Sequence, residues 1–188
     1  MTLTKVFFAI VISLVFCSYI CAELKVTKII KGNQSFDIIL NDDIKLSNIS
    51  LKNNNIELPV YISKNKTYKQ LGILRREFRQ YLVNSLSQNK MSSKTENTTF
   101  KINKLSPLKK HPTIKAFTSV IFNNDIEVGC RIMQGKNGLW IAWPSNKKGD
   151  VWIKEFKFIN KDLKKMVEKK LISSYTSIVN SYDKTKSK

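Results

Sequence analysis

The same order of predicted elements occurs twice along this chain, and this repetition limits the possible folds more than any other feature. From Leu24 to Leu86, four short runs rich in β-branched residues precede large apolar residues at helical spacing. The same order returns from Thr113 to Val179. We therefore predict an α+β fold, a tandem repeat of a small antiparallel sheet followed by a helix.

Eight segments form the predicted strands, four in each repeat. They are Leu24–Ile30, Ser35–Leu40, Ile44–Leu51, Ile56–Ile62, Ile114–Phe122, Ile126–Met133, Leu139–Ala142 and Val151–Phe158. The apolar stripes of the two predicted helices are Leu71, Leu74, Phe78, Leu82 and Leu86, and Leu163, Met166, Val167, Leu171, Tyr175 and Ile178. Asn160 is the predicted N-cap of the second helix, because its side chain can accept a hydrogen bond from a free backbone N–H.

The two repeats align at an offset of 82 residues across their central hairpins. Asn41-Asp42-Asp43-Ile44 then falls on Asn123-Asn124-Asp125-Ile126. Identity is low elsewhere, so the order of elements carries more weight than any single residue. The alternative is that unrelated short strands after polar turns resemble one another.

The first 22 residues have the pattern of an export signal and not of a folded element. Lys5 precedes an apolar run from Val6 to Phe16, and Ala22 is a small residue before Glu23. This pattern is typical of a secretory signal peptide, and we expect cleavage after Ala22. The protein would then be periplasmic, envelope-bound or secreted. An uncleaved membrane anchor is the alternative.

Composition sets the remaining boundaries. The repeats are assigned to residues 23–86 and 112–180, and the polar, basic segment 87–111 is predicted to be a flexible linker. A basic tail at 181–188 is expected to be disordered. Cys130 is the one cysteine beyond the signal, and we predict that it is a small buried residue.

An excess of positive charge predicts a polyanionic partner. The chain has 33 Lys and Arg against 14 Asp and Glu, and its net charge of +19 becomes +18 when Lys5 leaves with the signal. Lys161, Lys165 and Lys169 stack on one helical face, with Lys164 beside them. Either a polyanion neutralises this face or water solvates it. Codon bias is a further explanation for so lysine-rich a chain.

Three of the four arginines lie in the first predicted helix, at Arg75, Arg76 and Arg79. A guanidinium group can make the bidentate phosphate contacts that lysine cannot. Glu77 could instead pair with them locally. The predicted residues for binding nucleic acid or another polyanion are therefore Lys161, Lys164, Lys165, Lys169, Arg75, Arg76 and Arg79.

No pattern in the sequence indicates catalysis, a cofactor or a metal. The single histidine, His111, precedes a proline in the predicted linker, and clustered cysteines are missing. The turn from Gly135 to Gly138 lacks the Lys-Ser/Thr ending of a phosphate-binding loop. We expect no enzymatic activity, no cofactor and no small-molecule substrate.

The segment Arg131–Ser145 resembles the signature of the SpoVG family (stage V sporulation protein G, also called septation protein). The family pattern is a strand, a turn with two glycines, a second strand and a closing Pro-Ser, followed later by an Ile-Asn step into a helix. The matching motif residues are Gly135, Gly138, Pro144 and Ser145. The resemblance spans roughly residues 113–178. The first repeat is similar in outline only, with Ile62 at the place of the proline.

This resemblance implies a small bacterial unit that dimerises and binds DNA and RNA, with links to cell division, sporulation and gene regulation. It implies nucleic-acid contacts by basic residues on and near the helix, where Lys164 stands at a position that is often arginine. Family members are cytoplasmic and single-copy, whereas this chain has two copies and a predicted signal. We expect the two units to pack as an internal pseudo-dimer.

The second hypothesis is an exported envelope scaffold that keeps the fold without binding nucleic acid. It would contact proteins or anionic wall polymers. Trp140, Trp143 and Trp152 could supply its anchors, although we expect most of them in the core.

Overall fold

The computed structural model describes residues 23–63, 65–109 and 111–186, and the predicted signal peptide lies outside them. The first repeat contains strands β1 (Val26–Lys31), β2 (Phe36–Leu40), β3 (Ile44–Lys52), β4 (Asn55–Glu57), β5 (Tyr61–Ser63), β6 (Lys66–Tyr68) and β7 (Leu71–Ile73), then helix α1 (Arg76–Gln88). The second contains β8 (Phe100–Pro107), β9 (Ile114–Phe122), β10 (Ile126–Gly135), β11 (Gly138–Ala142), β12 (Ser145–Lys148), β13 (Val151–Lys154) and β14 (Phe156–Phe158), then α2 (Lys161–Lys186). The order of elements is identical, which confirms the predicted α+β tandem repeat.

Each repeat builds one antiparallel sheet, and the two repeats exchange a strand. The first sheet has the order β1-β2-β3-β14, with β4 also paired to β3. The second has the order β11-β10-β9-β8, with β7 also paired to β10. The strand that precedes each helix therefore lies in the sheet of the other repeat.

The two exchanged pairings have the same register. The equivalent cross-strand partners are Ile44 with Phe158 and Ile126 with Ile73. The backbone N–H of Ile159 donates to the carbonyl of Asp43 at 2.7 Å, and that of Leu74 donates to the carbonyl of Asp125 at 2.8 Å. Both repeats thus present the same docking edge on their third strand.

The turn before each third strand depends on an asparagine in the left-handed region. Asn41 has a φ of 51° and Asn123 a φ of 49°, a conformation that asparagine tolerates better than most residues. Each side-chain oxygen accepts a backbone N–H, from Lys25 at 2.8 Å and from Thr99 at 2.9 Å. This shared geometry confirms the predicted correspondence of the two hairpins.

We expect Asn123→Ala to lower the free energy of unfolding by roughly 2–4 kcal/mol, measured by urea denaturation. The change places alanine in the left-handed region and leaves the Thr99 N–H without its acceptor in a buried turn. Asn123→Gly removes the same hydrogen bond without the backbone penalty, so it should cost about 1 kcal/mol less. Equal losses in the two variants would contradict the conformational part of this account.

One buried apolar cluster runs through both repeats. Helix α1 packs on β1, β3, β4 and β7, and α2 packs on β8, β11 and β14. Phe122 of the second repeat stacks on Phe156 of the exchanged strand, with ring centroids 5.7 Å apart. Cys130 is buried as predicted, and burial raises the pKa of its thiol to about 12. No helix among the described residues is both long and apolar enough to cross a membrane.

The start of the first predicted helix is wrong. Leu71 belongs to strand β7 and Leu74 follows it, while the helix begins at Arg76. Apolar residues three positions apart fit a helical stripe, but they also fit a short buried strand followed by a turn.

The predicted flexible linker at 87–111 is also wrong for most of its length, because it contains strand β8, which pairs with β9. Half-buried Phe100 and Ile102 alternate there with exposed Lys101 and Asn103. That period of two indicates a strand, although the polar composition hid it.

Other predicted elements differ in extent. The strand predicted at Ile56–Ile62 is divided between β4 and β5, and that at Val151–Phe158 between β13 and β14. Helix α2 continues to Lys186, so most of the predicted disordered tail at 181–188 is helical.

The hairpins β5–β6 and β12–β13 align at an offset of 85 residues instead of 82. Their equivalent pairs are Tyr61 with Tyr68 and Asn146 with Ile153. At this offset Pro59, and not Ile62, corresponds to Pro144. The first repeat therefore keeps the proline that the sequence alignment had displaced.

Candidate functional site

Helix α2 starts from a fixed point on the fold. The side-chain oxygen of Asn160 accepts the backbone N–H groups of Asp162 at 2.9 Å and Leu163 at 3.1 Å, which confirms the predicted N-cap. The Asn160 amide also donates to Asp43 Oδ1 at 2.8 Å, in the hairpin turn of the first repeat. The exchanged strand and this cap together position the helix.

The lysines predicted on α2 lie on its exposed side. Leu163, Val167 and Leu171 are buried on the opposite side, and the face defined by Lys161, Lys165 and Lys169 is exposed along its length. We call these three residues the α2 lysine face.

Carboxylates on α2 neutralise little of this charge. Lys165 Nζ lies 3.5 Å from Asp162, and Lys164 Nζ lies 3.9 Å from Glu168. The Lys165 pair is almost fully solvated and contributes little. Among the described residues, neither Lys161 nor Lys169 forms a salt bridge.

Arg75 is occupied by an internal ion pair. Its guanidinium donates to Asp125 Oδ1 at 2.6 Å and to Glu23 at 3.3 Å, and the Asp125 side chain is fully buried. Burial raises the pKa of the Asp125 carboxyl, although hydrogen bonds from the Leu24 N–H and from Arg75 oppose that effect. The hydrogen bond to Asp125 raises the pKa of the Arg75 guanidinium. The geometry gives Arg75 a role in joining the repeats.

The other two arginines of α1 differ in availability. Arg79 is half-buried and donates to the carbonyl of Ile56 at 3.1 Å. Arg76 is exposed. The structure thus leaves Arg76 as the most accessible of the three, and it places them on a different helix from the lysines.

A cleft of about 440 Å³ opens beside α2, and most of its basic residues were missed from the sequence. Its basic lining residues are Arg131, Lys154, Lys157 and Lys164. They come from β10, β13, β14 and α2, so only the fold brings them together. The sequence signal was the alternation on β10, which turns Arg131 away from buried Cys130 and Ile132.

The same cleft, named here the tryptophan cleft, contains all three tryptophans. Trp140 is 50% exposed and Trp152 is 58% exposed, so the prediction that most tryptophans are core is wrong. On β11, neighbouring Ile141 points to the core and Trp140 therefore points outward. Trp143 is half-buried against Phe156 and donates from Nε1 to Glu168 at 2.8 Å.

A second cleft of about 350 Å³ adjoins the first. Both share Arg131, Ala142 and Trp143. The second adds aromatic side chains from the β5–β6 hairpin and from β9, namely Tyr61, Tyr68 and Phe117. The two clefts lie on either side of Arg131.

The motif residues shape the hairpins around these clefts. A Cβ atom on Gly135 would lie 3.3 Å from Trp140 Nε1, and Gly138 has a φ of 103° that favours glycine. The buried carbonyl of Pro144 accepts the Glu155 N–H at 3.0 Å, and Ser145 begins β12. In the part of the chain that the structure describes, no group of His, Cys, Asp or Glu is arranged to hold a metal.

Comparisons with known proteins agree on one family. The family model described as SpoVG matches residues 96–177. A septation protein SpoVG from Caldicellulosiruptor saccharolyticus is 37% identical over 68 residues, which are 35% of this chain and 77% of that protein. One from Clostridium kluyveri is 32% identical over 77 residues, 40% of this chain and 80% of that protein. No solved structure gives a significant match.

Proposed function

Because the chain belongs to the SpoVG family of septation proteins, we propose that it is a non-enzymatic protein that binds nucleic acid through α2. The observation that carries this proposal is the α2 lysine face, exposed opposite the buried stripe of the same helix. Lys164 and Lys170 flank the face and are also exposed. The binding residues are lysines, so phosphate groups are the expected contacts.

The energetics of this face favour a polyanion. Lysines spaced four residues apart on a helix repel one another by a few tenths of a kcal/mol per pair. A phosphate backbone relieves this repulsion and releases its condensed counterions. Binding of this kind weakens as salt rises and requires no base-specific contact.

We expect the triple variant Lys161→Gln/Lys165→Gln/Lys169→Gln to bind a 20-nucleotide strand roughly tenfold or more weakly at moderate salt. The slope of log affinity against log salt should fall by about 2, because each lost phosphate contact removes about 0.7. Fluorescence anisotropy measures both quantities.

The matched control removes three exposed lysines of β1 and β8, in Lys28→Gln/Lys31→Gln/Lys101→Gln. It changes the net charge equally and should bind nearly as well as the unaltered chain. Equal losses in the two triple variants would attribute binding to net charge and not to α2.

The envelope scaffold remains the alternative function, and exposed apolar side chains on the hairpins support it. Ile62 and Val151 are each 65% exposed, and such positions can anchor a protein partner. Localising a tagged copy of the full chain discriminates between the two functions. A nucleoid signal favours nucleic acid, whereas an envelope or secreted signal favours the scaffold and the predicted export.

The exchanged strands support a further part of the proposal, that one chain replaces the family's homodimer. β7 and β14 each complete the sheet of the other repeat. A single copy therefore already contains both halves of the exchange.

A further inference from the structure

We propose that the tryptophan cleft binds unpaired bases of a single-stranded nucleic acid whose phosphates lie along α2. This inference rests on the proposed function, because it assigns the bases of the same ligand to a second surface. The cleft does not belong to the α2 lysine face, and its lining comes from four other elements besides that helix.

Two exposed indole rings in the cleft are available for stacking. Trp140 and Trp152 are each at least half exposed, although exposing such large apolar surfaces in water is unfavourable. Their positions are set by the sheet, since Trp140 lies opposite Met133 and Trp152 opposite Lys147. Aromatic rings held in this way are stacking platforms for unpaired bases, each of which has an exposed π-face.

The charge around these rings suits phosphates. The cleft contains Arg131, Lys154, Lys157 and Lys164, and none of its lining residues is acidic. Lys164 is both a lining residue and the flank of the α2 lysine face. A strand can therefore keep its phosphates on the helix while its bases enter the cleft.

The same chemistry argues against two other ligands. A duplex keeps its bases stacked on one another, so it cannot offer their faces to Trp140 or Trp152 without flipping them out. A neutral glycan needs acceptors for its many hydroxyl groups, whereas lysine and arginine only donate. The positive lining and the exposed rings together favour a single strand.

The adjoining cleft extends this surface past Arg131. Phe117 is 50% exposed there and Tyr68 is 47% exposed. Gln70 Oε1 is buried at the same cleft and accepts no hydrogen bond from the described residues. The exocyclic amino group of a base is a donor that could satisfy it.

The test compares a 12-nucleotide strand of mixed sequence with an abasic strand of the same length and with the corresponding duplex. The protein is the chain from residue 23 onward, and binding is followed by fluorescence anisotropy. We expect the strand with bases to bind at least about tenfold more tightly than the abasic strand. Trp140→Ala/Trp152→Ala should remove this preference and leave abasic binding unchanged.

Two variants serve as controls, and circular dichroism checks that all variants fold. Trp140→Phe/Trp152→Phe should retain most of the preference for bases. Tyr182→Ala removes an exposed aromatic ring (57% exposed) far along α2 and should change nothing. Loss of the preference in Tyr182→Ala would overturn the assignment to the cleft.

The outcomes separate this inference from the proposed function. If the abasic strand binds and the strand with bases binds no more tightly, the inference fails and the proposed function stands. If neither strand binds, both fail. Duplex binding with the same dependence on Trp140 and Trp152 would overturn the choice of a single strand. Tighter, tryptophan-dependent binding of heparin would overturn it in favour of an anionic glycan.

Discussion

Arg75→Met is expected to lower the free energy of unfolding by about 3–5 kcal/mol at neutral pH, because it leaves a buried carboxylate without its cation. Asp125 is fully buried, and Arg75 supplies its charge partner at 2.6 Å. The Leu24 N–H remains as a donor at 2.8 Å but cannot balance the charge. Urea denaturation at pH 7 measures the loss. The matched control Arg76→Met changes an exposed neighbour and should stay within about 0.5 kcal/mol.

The pH dependence gives this prediction a second measurement. The folded-state pKa of Asp125 lies above its usual value because of burial, so between the two values the folded state binds more protons than the unfolded state. Stability therefore falls as pH rises through this window. Removing Arg75 raises the folded pKa further and widens the window upward. The deficit of Arg75→Met should shrink as pH falls towards 4, and a deficit independent of pH would assign Arg75 a packing role only.

The second large effect concerns the connection between the repeats. We expect the chain from residue 23 onward to be monomeric, and to stay one species after a protease cuts a site inserted between Thr95 and Glu96. Both residues are exposed, whereas the exchanged strands contribute buried Leu71 and Phe156 to the other repeat's sheet. Size-exclusion chromatography with light scattering measures the mass before and after cleavage. Separation of the fragments without denaturant would contradict the interlocked arrangement.

A fragment of residues 96–188 should form a dimer. Alone, its third strand lacks β7 and its β14 lacks β3. The two exchanged pairings share one register, so β14 of a second copy can occupy the place of β7. A stable monomeric fragment would show that the exchange is dispensable, and an obligate dimer of the intact chain would contradict the internal pairing.

The local features of the fold were predictable because neighbouring residues determine them. The paired hairpin turns follow from Asn41 and Asn123, and the start of α2 follows from Asn160. The exchange was not predictable, since β7 and β14 have the composition of any short buried strand. Their partners are set by packing between distant segments, which periodicity does not encode.

The candidate site was predictable only in part, for a similar reason. Regular spacing identified the α2 lysine face. Clustering in the sequence also favoured Arg75, but its guanidinium meets Asp125, fifty residues away in the chain. The tryptophan cleft escaped the sequence because Arg131 and Trp152 become neighbours only after four strands and a helix assemble.

Joining the two exchanging units in one polypeptide frees them from two-fold symmetry. In a homodimer every substitution appears twice, so a change that helps one binding surface must be tolerated on its copy. Here α1 has 13 residues and α2 has 26, and the arginine at the start of α1 anchors the fold while the lysines of α2 face solvent. One half can specialise in holding the assembly together while the other specialises in recognition. Each ligand would then meet a single, polar orientation of the protein.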